Sequence, residues 1–169
     1  LVVAATRLAD KQSVALKYPD PQSATLEQIT RFHREYETLL RVDSPYVVNV
    51  QALLEYEGVP VIVMERIEKR PLSAMLAEQQ ISIMQIIELA QELAKALDDI
   101  HSFGLIYKNL NPDNTLVDKN FSHPTFIGFS ISAFENLSIN LEPSNTLEGR
   151  IEYISPEQTG RMNRSIDYR

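Results

Sequence analysis

The spacing of apolar residues changes along the chain and divides it in two. The first third carries runs of strand length: Leu1 to Ala5, Ser13 to Lys17, Val47 to Tyr56 and Val59 to Glu65. Val61-Ile62-Val63-Met64 is apolar at every position, the pattern of a strand covered on both faces. Glu57-Gly58 between the last two runs reads as a hairpin turn. Between the second and third runs the period becomes helical. Ile29, Phe32, Tyr36, Leu39 and Leu40 recur on one face, and Thr25 with Gln28 forms a capping-box pair. This predicts a helix from Thr25 to about Arg41.

Helical spacing dominates the middle of the chain. A short helix is expected over Pro71 to Gln79. Ser82 and Gln85 open a longer one, Ile83 to His101. Its Ile83, Ile86, Ile87, Ala90, Leu93, Ala94, Leu97 and Ile100 make one broad apolar face, which places it in a core. Gly104 suits the residue that ends that helix, and His101 suits its C-terminal turn, where a cation is favoured. Short strands are expected at Thr115 to Asp118 and Thr125 to Ile127, and then a polar stretch to about Asn145. Strands with one helix, then a helical part, define an α+β class.

With 169 residues, 44% hydrophobic, the chain can bury the core of one domain. A net charge of -7 disfavours nucleic acid or an anionic membrane as a general partner. The absence of cysteine removes disulfide, cysteine–zinc and thiol chemistry, and His33 and His123 lack metal-ligand spacing. No apolar run approaches the ~18 residues of a membrane span. These features fit a cytoplasmic protein. Leu1 lies inside an apolar run with no basic stretch before it, so a strand cut at its start is expected rather than a signal peptide.

Candidate chemistry centres on Leu105-Ile106-Tyr107-Lys108-Asn109-Leu110-Asn111-Pro112-Asp113-Asn114-Thr115-Leu116. An apolar lead-in, Leu110, and Asn114 five residues after Asn109 give it the frame H-R-D-L-x-x-x-N. It resembles the catalytic loop of protein kinases, with Asn109 where the family has its catalytic aspartate. Lys17 ends an apolar run of the V-A-I-K type, and Glu35 borders the apolar face of the following helix, with Glu37 the more solvent-directed alternative. Ser155-Pro156-Glu157 looks like the family's A-P-E element. The string from Leu147 to Arg169 resembles the signature of the serine/threonine kinase domains found in bacterial, cyanobacterial-like multidomain sensor kinase–histidine kinase hybrids.

The resemblance covers essentially the whole chain and implies a two-lobe fold. Residues 1–67 would form a small β-sheet lobe with one helix, lacking the Gly-rich loop. Residues 68–169 would form a partial helical lobe, so the domain is read as incomplete. It further implies that Lys17 pairs with Glu35 and meets nucleotide phosphates, and that Val2, Ala15 and Leu116 enclose adenine. Met64 would back the pocket, the hinge at Glu65 to Ile67 would bond the base, and Asn114 would be a metal ligand. Three departures stand against activity: Asn109 for the catalytic aspartate, Gly128 in Gly128-Phe129-Ser130 for the metal-binding aspartate of D-F-G, and Arg150 for a threonine of the activation segment. Asp113 is expected to point away from Asn114 and not to replace the lost acids.

Asparagine is a poor proton acceptor, and losing a general base typically costs roughly 10²–10⁴ in rate. A lost metal ligand removes charge compensation worth several kcal/mol. The residues therefore favour a pseudokinase with a partner-binding or regulatory role in signal transduction. ATP is a possible ligand, Mg²⁺ is doubtful, and the partner would be another domain of a sensor protein or a separate signalling protein. The alternative is an active serine/threonine kinase, and a third possibility is a decaying copy. Uncovered helix faces would make the chain poorly soluble alone.

Overall fold

The computed structural model describes residues 1–135, 149–159 and 166–168. The polar stretch predicted to run to Asn145 is described only as far as Glu135. Residues 147–148, 160–165 and 169 of the signature string also lie outside the described residues.

Four strands build the first lobe: β1 (Val2–Thr6), β2 (Ser13–Lys17), β3 (Val50–Tyr56) and β4 (Val59–Glu65). They form one antiparallel sheet in the order β1-β2-β4-β3. β4 is interior, and Val59 to Met64 are all buried, as its unbroken apolar run predicts. Helix α1 (Leu26–Leu39) starts where expected: Thr25 and Gln28 form the reciprocal capping box. Ile29, Phe32, Tyr36 and Leu39 are covered to varying degrees, but Leu40, just past the helix, is 58% exposed.

β3 begins at Val50, later than its apolar run suggests, because the residues before it pair elsewhere. The Val48 N–H donates to the Phe126 carbonyl (3.3 Å), and the Phe126 N–H donates to the Tyr46 carbonyl (2.7 Å). This crossing ties the first lobe to the second.

The second lobe holds α2 (Leu72–Glu78) and α3 (Ile83–Ser102), the latter opened by the Ser82–Gln85 capping box. Gly104, at φ +72°, lies just past α3 and donates its N–H to the His101 carbonyl (2.8 Å), a left-handed helix stop. Short strands frame the loops: β5 (Arg70–Pro71), β7 (Thr115–Val117) and β8 (Thr125–Phe126) form one sheet, and β6 (Leu105–Ile106) pairs with β9 (Ala133–Phe134). β5, β6 and β9 are two residues long, too short to leave a periodic trace.

The expected burial of α3 needs correction. Of the predicted face only Ile100 is buried; Leu93 and Leu97 are half-buried, and Ile83, Ile86, Ile87, Ala90 and Ala94 are exposed. The stripe turned to the core is a neighbouring one, Leu89, Leu93, Ala96 and Ile100, because apolar residues on α3 spread over more than one face and the neighbours decide which is covered.

Candidate active site

β2 and α1 bring Lys17 and Glu35 together. Residues opposite one another in a sheet share a face, so the pairings Val2–Lys17, Ala15–Met64 and Lys17–Ile62 put Val2, Ala15, Lys17 and Met64 on one side. There Lys17 Nζ donates to both Glu35 carboxylate oxygens, at 2.6 and 2.7 Å. The Glu35 side chain is 3% exposed and that of Lys17 23%, while Glu37 is exposed. Glu35 Oε1 also accepts the Phe129 N–H at 3.1 Å. A buried carboxylate needs this degree of satisfaction, since an unpaired one is strongly destabilising.

The opposite wall is the catalytic loop, and it is held by neutral amides. Asn109 Nδ2 donates to the Gly128 carbonyl at 2.6 Å. Asn111, 5% exposed, donates to the Asn109 carbonyl (3.0 Å) and accepts the N–H groups of Asp113 (3.0 Å) and Asn114 (3.1 Å). Asn114 Nδ2 also donates to the Asn109 carbonyl, at 3.2 Å. Asn111 was missed as a site residue in the sequence. Its signal was the Asn-Pro-Asp string, since asparagine readily accepts backbone N–H groups two and three residues on.

Between the walls runs the segment Phe126 to Phe129, bonded to both. The Ile127 N–H donates to the Asn114 carbonyl (3.0 Å). The Ile127 carbonyl accepts the buried Tyr107 hydroxyl at 2.5 Å. Tyr107 stacks on Phe126 (5.1 Å between centroids) and tilts against Phe129 (4.7 Å). Burial, with Glu35 nearby, pushes its phenol far above the usual tyrosine range, so it remains a donor. The sequence marked Tyr107 only as part of the loop frame. Gly128 sits at φ +78°, and a Cβ there would lie 2.9 Å from Asn114 Oδ1 and 3.2 Å from Asn109 Nδ2. The amides have closed over the space a side chain would use.

The remaining predicted residues make other contacts. The Glu65 N–H donates to the Asn49 carbonyl (2.9 Å), Ile67 packs against the main core, and Leu116 pairs with Pro71 and Thr125. Arg150 forms an ion pair with Asp113. Ser155 binds Gln158 through its N–H (3.2 Å) and hydroxyl (3.0 Å), next to a 3₁₀ turn over Pro156–Thr159 that includes Glu157.

Mg²⁺ prefers oxygen ligands, commonly one or two carboxylates; here Asn114 carries a neutral amide oxygen and Gly128 has no side chain.

The protein kinase domain family model matches residues 1–168, and the chain belongs to that family. It is 29% identical over 140 residues to the probable serine/threonine-protein kinase PknB of Lactococcus lactis, covering 82% of this chain and 22% of that protein. A probable serine/threonine-protein kinase of Clostridium acetobutylicum is 28% identical over 134 residues, covering 78% and 20%. Human ribosomal protein S6 kinase alpha-3 is 27% identical over 153 residues, covering 89% and 20%. The chain thus spans about a fifth of the length of these relatives. No helix among the described residues is long and apolar enough to cross a membrane.

Proposed function

We propose that this kinase domain is a pseudokinase: a nucleotide cleft kept for binding and regulation, with phosphoryl transfer lost. The observation carrying this reading is the Asn109–Gly128 bond. A carboxylate cannot donate to a carbonyl. The group at the position of the family's proton acceptor acts here as a donor, and its partner is the residue at the position of a metal ligand. In this reading ATP supplies the phosphates that Lys17 meets, oriented by Glu35. Val2, Ala15 and Leu116 enclose the base, Met64 lies behind it, and Glu65 and Ile67 provide hinge backbone groups. Asn114 contributes one neutral oxygen, and Mg²⁺ is not required for binding. The module works in bacterial signal transduction in the cytoplasm, bound to another domain of a sensor protein or to a signalling protein. The family resemblance of the residue 147–169 string supports that setting.

An active serine/threonine kinase is the second reading, favoured by the intact Lys17–Glu35 pair and by relatives named as kinases. Transfer of labelled phosphate from ATP to a generic protein substrate separates the two. The pseudokinase gives no transfer, and a thermal shift with ATP that is the same with Mg²⁺ as with a chelator. Transfer that disappears in Lys17→Met, or a large Mg²⁺-specific shift, overturns the reading. Combining Asn109→Asp, Gly128→Asp, Ser130→Gly and Arg150→Thr is expected to restore part of the transfer.

A further inference from the structure

We propose that Lys69 is a positioning residue that locks the two lobes at one angle, so that the nucleotide cleft is preset and does not close around its ligand. The chain passes from β4 into the second lobe through residues 65–69. One end of this passage is fixed by two bonds: the Glu65 N–H donates to the Asn49 carbonyl, and Glu65 Oε1 accepts the Asn49 N–H, both at 2.9 Å. The other end is fixed by Lys69, whose Nζ donates to the His123 carbonyl and to the Thr125 hydroxyl, both at 2.7 Å. The two ends also meet through the other crossing between the lobes, because Val48, next to Asn49, donates to Phe126, next to Thr125. Glu65, Asn49, Val48, Phe126, Thr125 and Lys69 thus close a ring, and only Arg66, Ile67 and Glu68 lie between its pinned ends. Lobes change angle by backbone rotation at a few residues, and here those residues are held from both sides.

Lys69 is the side chain that completes the ring. A lysine ammonium ordinarily stays in water, yet two of its three N–H groups are committed here to protein oxygens. Thr125 is buried, and a buried hydroxyl needs a partner, which Lys69 supplies. The anchor itself is firm. The His123 N–H donates to Glu92 Oε2 of α3 at 2.6 Å, and its φ of +51° is one that few residues other than glycine adopt. Such a backbone persists where its surroundings over-determine it. β8 then leads into residues 127–129, which bond to Asn114, Tyr107 and Glu35, so the angle that Lys69 holds also sets the separation of the two walls. The role given to the cleft rests on the nucleotide reading above, while the lock is a property of the chain without ligand.

The chain has no cysteine, so Glu55→Cys and Glu88→Cys, at exposed positions of β3 and α3, place one spin label on each lobe of the intact chain. Pulsed electron resonance then reads the distribution of the distance between them. Expected is one narrow distance that ATP leaves unchanged. Lys69→Met should raise the population outside that peak about tenfold, the weight of one hydrogen bond to a charged group. Lys69→Arg, which keeps the donors, should remain narrower than Lys69→Met. A broad distribution with Lys69 in place, a peak that ATP shifts, the same narrow peak in Lys69→Met, or no gain from Lys69→Arg overturns the lock. Where Lys69→Met does not fold, Thr125→Val removes one of the two acceptors, and a peak unchanged by that substitution overturns the proposal. If ATP leaves the melting temperature unmoved, the nucleotide reading fails, and the ligand-free comparison of Lys69 with its variants still decides the lock.

Discussion

On one wall of the cleft, Lys17 and Glu35 hold full charges, and Glu35 accepts three hydrogen bonds while nearly enclosed. On the other, Asn109, Asn111 and Asn114 hold the loop with neutral amides bonded to its own backbone and to Gly128. The two arrangements respond differently to damage. A buried ion pair costs desolvation on both sides and fails badly when one partner leaves. A satisfied amide network holds shape without charge. One wall is thus held by charge and the other by neutral hydrogen bonds.

Lys17→Met breaks the charged wall most directly. It leaves the Glu35 carboxylate enclosed with only the Phe129 N–H, and the expected stability loss is about 3 kcal/mol, read from denaturant unfolding. Glu35→Gln, which keeps hydrogen-bonding groups, should cost less. A loss below about 1 kcal/mol for Lys17→Met, the value of a surface pair, would mean the two walls do not differ as described.

The segment between the walls comes next. Tyr107→Phe keeps the ring against Phe126 and Phe129 and removes only the hydroxyl from the Ile127 carbonyl. Leaving a buried acceptor unmatched is expected to cost about 1–2 kcal/mol. An unchanged stability would show that the stacked rings alone hold this segment in place.

Gly128→Asp probes the neutral wall. A left-handed backbone costs an ordinary L-residue about 1–2 kcal/mol, and aspartate tolerates it better than most. The added Cβ also requires the Asn114 amide to give way, its Oδ1 being 2.9 Å distant. Expected is a stability loss near the low end of that range, with the Lys17–Glu35 pair unchanged. If Gly128→Asp were fully neutral, the amides would have ample room to move, and the wall would be less fixed than its hydrogen bonds imply.

Much of this contrast was legible in the sequence through its resemblance to the kinase family, whose motifs fall on Lys17, Glu35, Asn109, Asn114 and Gly128. What stayed hidden depends on how loops fold back. Tyr107 reaches a carbonyl 20 residues further along, and Arg150 reaches Asp113 across 37, and neither separation has a period. The exposed first turns of α3 escaped notice because an apolar stripe reads the same covered or bare. His101 was placed correctly in the last turn of α3, but burial lowers its pKa below the usual histidine range and so works against the cation that a helix end favours.

The smallest effect lies away from the cleft and serves as its control. Asp118 accepts hydrogen bonds from the Asn120 N–H (2.8 Å), the Ser122 N–H (3.0 Å) and the Ser122 hydroxyl (2.8 Å), and its Oδ2 lies 3.0 Å from His123 Nδ1. Partial burial favours the protonated acid, but these bonds outweigh it and hold the carboxyl well below the usual aspartate range. With the folded pKa depressed, the stabilisation is complete above the unfolded value near ~3.9. It fades as pH falls toward the folded value, because the unfolded chain takes up its proton first. Asp118→Asn should therefore be less stable than the unsubstituted chain at neutral pH, and the gap should narrow below about pH 4. Unfolding midpoints from pH 7 to pH 3 check this. A gap that stays constant across the range would mean that Asp118 acts by shape alone, like the amides of the catalytic loop.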